Sequence, residues 1–317
     1  MNESLISVIA PLEPGSLTAV EAFVDETVAV LHGIASHYEI ILVDDGAPDE
    51  TVSRARALLE RYDFLRFVRL SRHFSEETAI AAGLDLAIGD YVIVMLPNMD
   101  PPALIPQFLE RARGDADIVY GIRLHRKSEP FWYRLGAKLF YWYFNRVVEA
   151  GIPENSTQFR CMSRQVVNAI TEIHGPEQYL RLLTSYIGFR KQGLAYAPIN
   201  RTGAAIVRPK REAMHLARTL IMQHTTHPLR LVMRGGFLLA ALNLVLVWMA
   251  SPAASRVEWR NAFAFVVIGG MLATIGEYVG ALTRRLRDRP TYYVREEHTS
   301  SVLLREDRTN VVGMTSL

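Results

Sequence analysis

Two adjacent carboxylates and a glycine, Asp44-Asp45-Gly46, close an apolar run from Ile40 to Val43. A run of that length ended by turn residues predicts a strand buried on both faces, as in a parallel sheet. The carboxylates would then stand at the strand's carboxyl end, where open α/β sheets place their ligands. A carboxylate there can accept hydrogen bonds from a ligand's donors. The plainer reading is a turn and a helix cap, since Asp49, Glu50 and Thr51 suit a helix's first turn. A second set of candidates is cationic. Arg72, Arg160, Arg201 and Arg208, with Lys210, can bind phosphate, arginine in bidentate fashion. For each of these the alternative is a solvated or lipid-facing charge.

The elements that would position these groups alternate. Leu5–Ala10 reads as a first strand, ended by Pro11. Leu17, Val20, Val24, Val28 and Leu31 recur at helical spacing. After the Ile40 strand come a helix from Asp49 to about Tyr62 and a strand over Phe64–Leu70. Next is a loop through Arg72, then a helix that Ser75 caps. Tyr91–Leu96 is a fourth strand, broken by Pro97, Pro101 and Pro102. A helix over 103–113 and a strand over 118–121 complete the rhythm. Such alternation predicts an α/β fold with a parallel sheet and helices on both faces. Further on, Arg160–Ile170 reads as a strand and then a helix, Gln178–Ile187 as a helix, and Phe189–Ala197 as a strand.

Composition narrows the function classes. The 317 residues exceed one α/β domain, and 35 Lys and Arg against 33 Asp and Glu give no basic footprint for nucleic acid. One cysteine, Cys161, excludes an internal disulfide framework. The opening residues lack a secretory leader pattern, and the positive-inside rule applied to the arginines flanking the C-terminal apolar runs puts the main domain in the cytoplasm. Residues 131–148 are dense in aromatic side chains interleaved with Arg134, Lys138 and Arg146, as suits a helix at a membrane interface. Gly235–Ala250 and Ala262–Leu282 are apolar runs flanked by arginines, and a bilayer takes ~20 such residues. Together they predict a transmembrane hairpin with both ends cytoplasmic. The expected organisation is a nucleotide-binding core over 1–125 and an acceptor-side remainder with juxtamembrane amphipathic helices over 126–230. The hairpin follows over 231–285, then a polar tail over 286–317 that is partly ordered on the main domain or free.

The order of short motifs resembles membrane-anchored family 2 glycosyltransferases of GT-A (Rossmann-like) fold. The similar subgroup comprises polyprenyl-phosphate glycosyltransferases and dolichol-phosphate mannose synthases. The carriers are Val43-Asp44-Asp45-Gly46 with Asp49 and Thr51, Leu70-Ser71-Arg72-His73-Phe74, Ala82-Gly83-Leu84-Asp85 with Gly89-Asp90, and Asp100-Pro101-Pro102. Further carriers are Ile152-Pro153-Glu154-Asn155, Phe159 to Arg164, and Ile275 to Pro290. The resemblance implies a nucleotide sugar donor, usually uridine-linked, held by Asp44 and Asp45. It also implies a polyprenyl phosphate acceptor, a homo-oligomer, and a multi-pass protein of the bacterial inner membrane.

Four family motifs are altered. The metal-binding Asp-x-Asp and a following Gln fall on Met95, Pro97 and Met99, none of which offers the oxygen that Mg²⁺ or Mn²⁺ takes. Asn98 and Asp100, slightly further on, would make a shifted site, unless Asp100 caps the helix beginning at Pro101. The family's acidic residue falls on Gln158, which cannot act as a base. The opening motif survives only as Pro11, and the basic phosphate loop as Arg201-Thr202-Gly203 with Arg208 and Lys210 beyond. Expected site residues are therefore Gln158 and Arg160 at the reaction centre, and Pro11, Asp44, Asp45, Arg72, Asp100, Arg201 and Arg208 on the substrate. Two functions fit: transfer without the usual metal site, or a catalytically inactive relative serving as a binding or scaffold subunit in glycan assembly.

Overall fold

The structure, a computed structural model, describes residues 4–12, 17–46, 49–124, 131–146, 151, 153–173, 179–201, 203, 227–249, 254–286 and 292–300. In chain order these form β1 (Ile6–Leu12), α1 (Leu17–Ile34), β2 (Tyr38–Asp44), α2 (Asp49–Arg61), β3 (Leu65–Leu70), α3 (Glu76–Leu86) and β4 (Tyr91–Val94). A 3-10 turn (Pro102–Leu104) leads into α4 (Ile105–Arg113), followed by β5 (Ile118–Arg123), α5 (Phe131–Arg146), β6 (Ser156–Ser163), α6 (Arg164–Thr171), α7 (Leu180–Tyr186) and β7 (Lys191–Tyr196). Two long helices, α8 (His227–Met249) and α9 (Ala254–Leu286), precede β8 (Val294–Thr299). The chain divides into two compact units, residues 1–207 with 290–317, and residues 208–289.

The first unit is built on one sheet of order β7-β5-β6-β4-β1-β2-β3-β8. β2 is buried along its whole length, and its successive side chains face opposite layers. Ile40 and Leu42 pack with Phe23, Phe67 and Phe108, whereas Ile41 and Val43 pack with Val68, Ile80 and Leu84. That two-sided burial explains an unbroken apolar run in place of alternation. Gly83 lets α3 lie on β1, because a Cβ there would stand 2.4 Å from Ile9 Cγ2. Ser75 caps α3, its hydroxyl accepting the Thr78 N–H at 3.3 Å.

The expected parallel sheet is instead mixed. β1, β2, β3 and β4 are mutually parallel, but β6 runs antiparallel between β4 and β5. The reason is local: β6 starts beside the end of β5, with Ile122 opposite Ser156 and the Arg123 N–H donating to the Asn155 carbonyl at 3.1 Å. The first residues of β6 therefore share the sheet edge at which the parallel strands finish.

β8 pairs antiparallel with β3, closing that edge of the sheet. Arg66 donates to Glu297 at 2.7 Å, Arg56 pairs with Glu296, and the Tyr292 hydroxyl donates to Asp85 at 2.8 Å.

In the second unit α8 and α9 pack together, and a Cβ at Gly236 would come within 2.8 Å of Met271 Cε. Among the described residues no helix is long and apolar enough to cross a membrane. Leu231, Leu238, Leu242 and Val245 on α8 are exposed, as are Phe265, Ile268, Leu272, Ile275, Val279 and Leu282 on α9.

Candidate active site

Strand direction collects the candidate residues at one edge of the sheet. Pro11 pairs with Val43, and Leu12 with Asp44, at the ends of β1 and β2. Asp44 stands opposite Arg69 near the end of β3. Val94 at the end of β4 faces Arg160 of β6. This carboxyl edge is where open α/β sheets bind ligands.

The two carboxylates of the Asp-Asp-Gly turn have separate surroundings. Asp44 is fully buried, and its Oδ2 lies 3.2 Å from Arg69 Nε. Arg69 continues to Asp49, Nη2 to Oδ1 at 3.0 Å, so a cross-strand ion pair neutralises Asp44 and ties the turn to α2. Asp45 is held by the loop after β3. Its Oδ1 accepts the Phe74 N–H at 2.7 Å, and its Oδ2 lies 2.9 Å from Nδ1 of the exposed His73. Burial raises the Asp45 carboxyl above its usual range, opposed by the Phe74 N–H and by His73. Gly46 has φ of 85°, and a Cβ there would meet the His73 backbone nitrogen at 3.0 Å, so the turn needs glycine on both counts. Arg72 is exposed, its guanidinium 4.4 Å from the centroid of the Phe74 ring.

The segment after β4 holds its own shape. Met95 is fully buried in the core, and Leu96 and Pro97 are buried as well. The expectation that Asp100 caps the following helix is corrected. The 3-10 turn has no side-chain cap, and Asp100 reaches backward instead. Its Oδ2 accepts the Leu96 N–H at 2.8 Å and its Oδ1 accepts the Tyr196 hydroxyl at 2.5 Å. Burial pushes the Asp100 carboxyl up to about 6, against those two donors and the Arg123 charge.

Arg201, expected on substrate phosphate, clamps the same turn. Its guanidinium donates to the Pro97 carbonyl, to the Asp100 carbonyl at 3.3 Å and to Glu26. The Arg201 N–H also donates to the Asn98 carbonyl at 3.2 Å. A divalent ion wants several free oxygens, preferably carboxylates. Each Asp100 oxygen is fixed on a donor in a fully buried place, the side chains of Met95, Pro97 and Met99 offer no oxygen, and the buried Asn98 Oδ1 is a single neutral one. The residues at this place do not fit the family's Mg²⁺ or Mn²⁺, in the expected position or shifted to Asn98 and Asp100. Among the described residues there is no group of three or more His, Cys, Asp or Glu that could hold a metal. Arg208 and Lys210 lie outside the described residues.

Gln158 and Arg160 come together on one face of β6. Gln158 Nε2 donates to Glu77 of α3. Arg160 is 1% exposed; its Nε donates to the Thr157 carbonyl at 3.3 Å and its Nη1 to the Thr184 hydroxyl of α7. Burial, with the neighbouring Arg181 charge, lowers the Arg160 guanidinium to about 9. Sequence reasoning missed Glu77, Arg181, Thr184 and Tyr196. Glu77 reads from sequence as a first-turn acid of α3, and nothing in the spacing of α7 marks Arg181. Residues His73 to Glu77 join the two halves of the site: His73 and Phe74 hold Asp45, and Glu77 holds Gln158.

An Asp-Asp-Gly turn at the carboxyl edge of this mixed sheet is the arrangement of a GT-A glycosyltransferase scaffold. The pattern of glycosyl transferase family 2 matches residues 18–171. An uncharacterized glycosyltransferase from Synechocystis is 30% identical, over 84% of this chain and 87% of that protein. The chain belongs to the family 2 glycosyltransferases. An undecaprenyl-phosphate 4-deoxy-4-formamido-L-arabinose transferase from Serratia proteamaculans is 27% identical over 92% of this chain and 93% of that one. The fold is that of Mycobacterium tuberculosis glucosyl-3-phosphoglycerate synthase, solved with Mn²⁺, UDP and phosphoglyceric acid, at a TM-score of 0.51 and 18% identity over 69% and 76% of the two chains.

Proposed function

We propose that this transferase moves a sugar from a uridine diphosphate donor to a polyprenyl phosphate at the cytoplasmic face of the membrane, without the family's usual metal site. The observation that carries this reading is the contrast between two strand ends. The β2 end keeps a buried, oriented Asp45, while the β4 end has replaced its oxygen ligands and locked Asp100 into the turn. The relative from Serratia carries undecaprenyl phosphate in its name, which supports a polyprenyl phosphate here.

The chemistry suits such a site. An oxygen of the lipid phosphate attacks the anomeric carbon, the bond to the donor's diphosphate breaks, and the nucleoside diphosphate leaves. A phosphate monoester is already anionic at neutral pH, so Gln158 in place of a carboxylate removes no required base. The leaving diphosphate gains charge, and fixed cations that meet it lower the barrier. Arg72 at the end of β3 and Arg160 on β6 are the described candidates. Asp45 accepts from the uracil imide or the ribose, and His73 and Phe74 keep it in place.

The same reading keeps the membrane hairpin expected from the apolar runs of the sequence, although neither α8 nor α9 as described is long and apolar enough to cross a membrane. Ala262–Leu282 contains Glu277 as its only charged residue and Gly235–Ala250 contains none. The apolar side chains exposed on both helices have no reason to face water. On α5, Leu135, Leu139 and Trp142 are exposed in a stripe at helical spacing, beside exposed Lys138, and suit the interface. The test is transfer by the purified full-length protein from a panel of nucleotide sugars to undecaprenyl phosphate, with and without chelator. Transfer that survives the chelator is expected. No transfer across the panel ends the catalytic reading, and transfer lost on chelation ends the metal-free one.

A further inference from the structure

Ser156, Gln158 and Arg160 alternate along β6 and therefore share a face, the one covered by α3, α6 and α7. All three are at least nine-tenths buried, and they sit at the ligand edge of the sheet. Arg181 of α7 comes down on them, donating from Nη1 to the Ser156 carbonyl at 3.1 Å with its guanidinium 4.7 Å from the Tyr179 ring centroid. Two guanidinium groups thus meet in a largely buried place. The hydrogen bonds described for them end on neutral oxygens: the Thr157 carbonyl and Thr184 hydroxyl for Arg160, and the Ser156 carbonyl for Arg181. Arg160 Nη2, Arg181 Nε and Ser156 Oγ are buried with no partner among the described residues. Glu77 attracts both Arg160 and Arg181, and Glu76 attracts Arg181, but the described hydrogen bonds to the Glu77 oxygens come from Gln158 Nε2 and the Leu180 N–H.

Buried donors on paired cations call for an anion with several acceptor oxygens. We infer that Ser156, Arg160 and Arg181 form a phosphoryl-binding subsite, with Gln158 as the neutral residue that leaves it open to an anion. Half-buried Arg181 and Glu77 form its outer side. A carboxylate at position 158 would take up the unmet donors from within and close the subsite. The inference rests on the transferase reading, which offers two sources of the phosphoryl group: the phosphate monoester of the prenyl acceptor and the diphosphate of the donor.

The experiment is calorimetry on the full-length protein in detergent, titrated with geranyl phosphate, geraniol, UDP and uridine, for wild type and Gln158→Asp. The expected result is at least a tenfold weakening of the phosphorylated member of one pair with its unphosphorylated partner unmoved. Loss for geranyl phosphate assigns the subsite to the acceptor, and loss for UDP assigns it to the donor. Arg181→Gln, which removes the donor at the outer side, reads out the same way if Gln158→Asp fails to fold. Folded variants that leave geranyl phosphate and UDP both within a factor of two overturn the inference. A wild type that binds geranyl phosphate but neither UDP nor uridine removes the uridine-donor reading while leaving the subsite standing.

Discussion

Replacing Asp100 separates a turn lock from a ligand. In the fold the Asp100 carboxyl sits at about 6 against an ordinary 3.8, with burial as the leading cause. At about 1.36 kcal/mol per pH unit, keeping it ionised at neutral pH costs the folded state about 3 kcal/mol. The sign follows from a raised acid. Between pH 3.8 and about 6 the folded chain holds a proton that the unfolded chain has lost, so this group's contribution falls as pH rises through that window and is flat above it. Asp100→Asn removes the titration and can keep the geometry. Its oxygen accepts the Leu96 N–H, its amide donates to the Tyr196 oxygen, and the Tyr196 proton turns to Thr157 Oγ1 at 3.2 Å. Asp100→Ala strands the buried Leu96 N–H, at about 1–3 kcal/mol, while the Tyr196 hydroxyl keeps Thr157 Oγ1. Unfolding of full-length protein, followed by tryptophan fluorescence from pH 4 to 8, should show Asn gaining on wild type as pH rises and Ala below Asn throughout. The Asn variant should keep transfer activity within a few-fold. A folded Asn variant that loses activity a hundredfold would mean that Asp100 touches substrate or a cation, and the turn-lock argument would be wrong.

Arg69→Met leaves buried Asp44 without its ion-pair partner and should cost about 3–5 kcal/mol, with much of the loss recovered in Asp44→Asn/Arg69→Met; urea midpoints of the single and double variants decide it. Gly83→Ala drives a methyl into Ile9 and should lower stability by about 1–3 kcal/mol, while the same change at exposed Gly136, with nothing within 4 Å, should not. Deleting residues 292–317 bares the β3 edge, so light scattering should report association that the full chain does not show.

The local code alone determined much of this protein. The run from Ile40 to Val43 announces a strand buried on both faces because neither of its faces carries a polar residue. Ser75 announces a helix start because its hydroxyl satisfies a first-turn N–H. The turn after Val43 needs glycine, and the apolar C-terminal runs read as long helices from composition alone. Tertiary structure decided what pairing alone can decide. The antiparallel entry of β6 follows from where β5 ends, not from any residue within β6. The return of residues 294–299 to β3 bridges more than two hundred positions, a separation no local pattern spans. Asp100 and Arg201 look like ligand groups in sequence, yet the fold turns both inward, because Leu96, Tyr196 and Glu26 reach them first. Arg181 carries no sequence signal at all. It matters because α7 sets it over Ser156 and Arg160, where burial and unmet hydrogen bonds make a guanidinium's surroundings decisive.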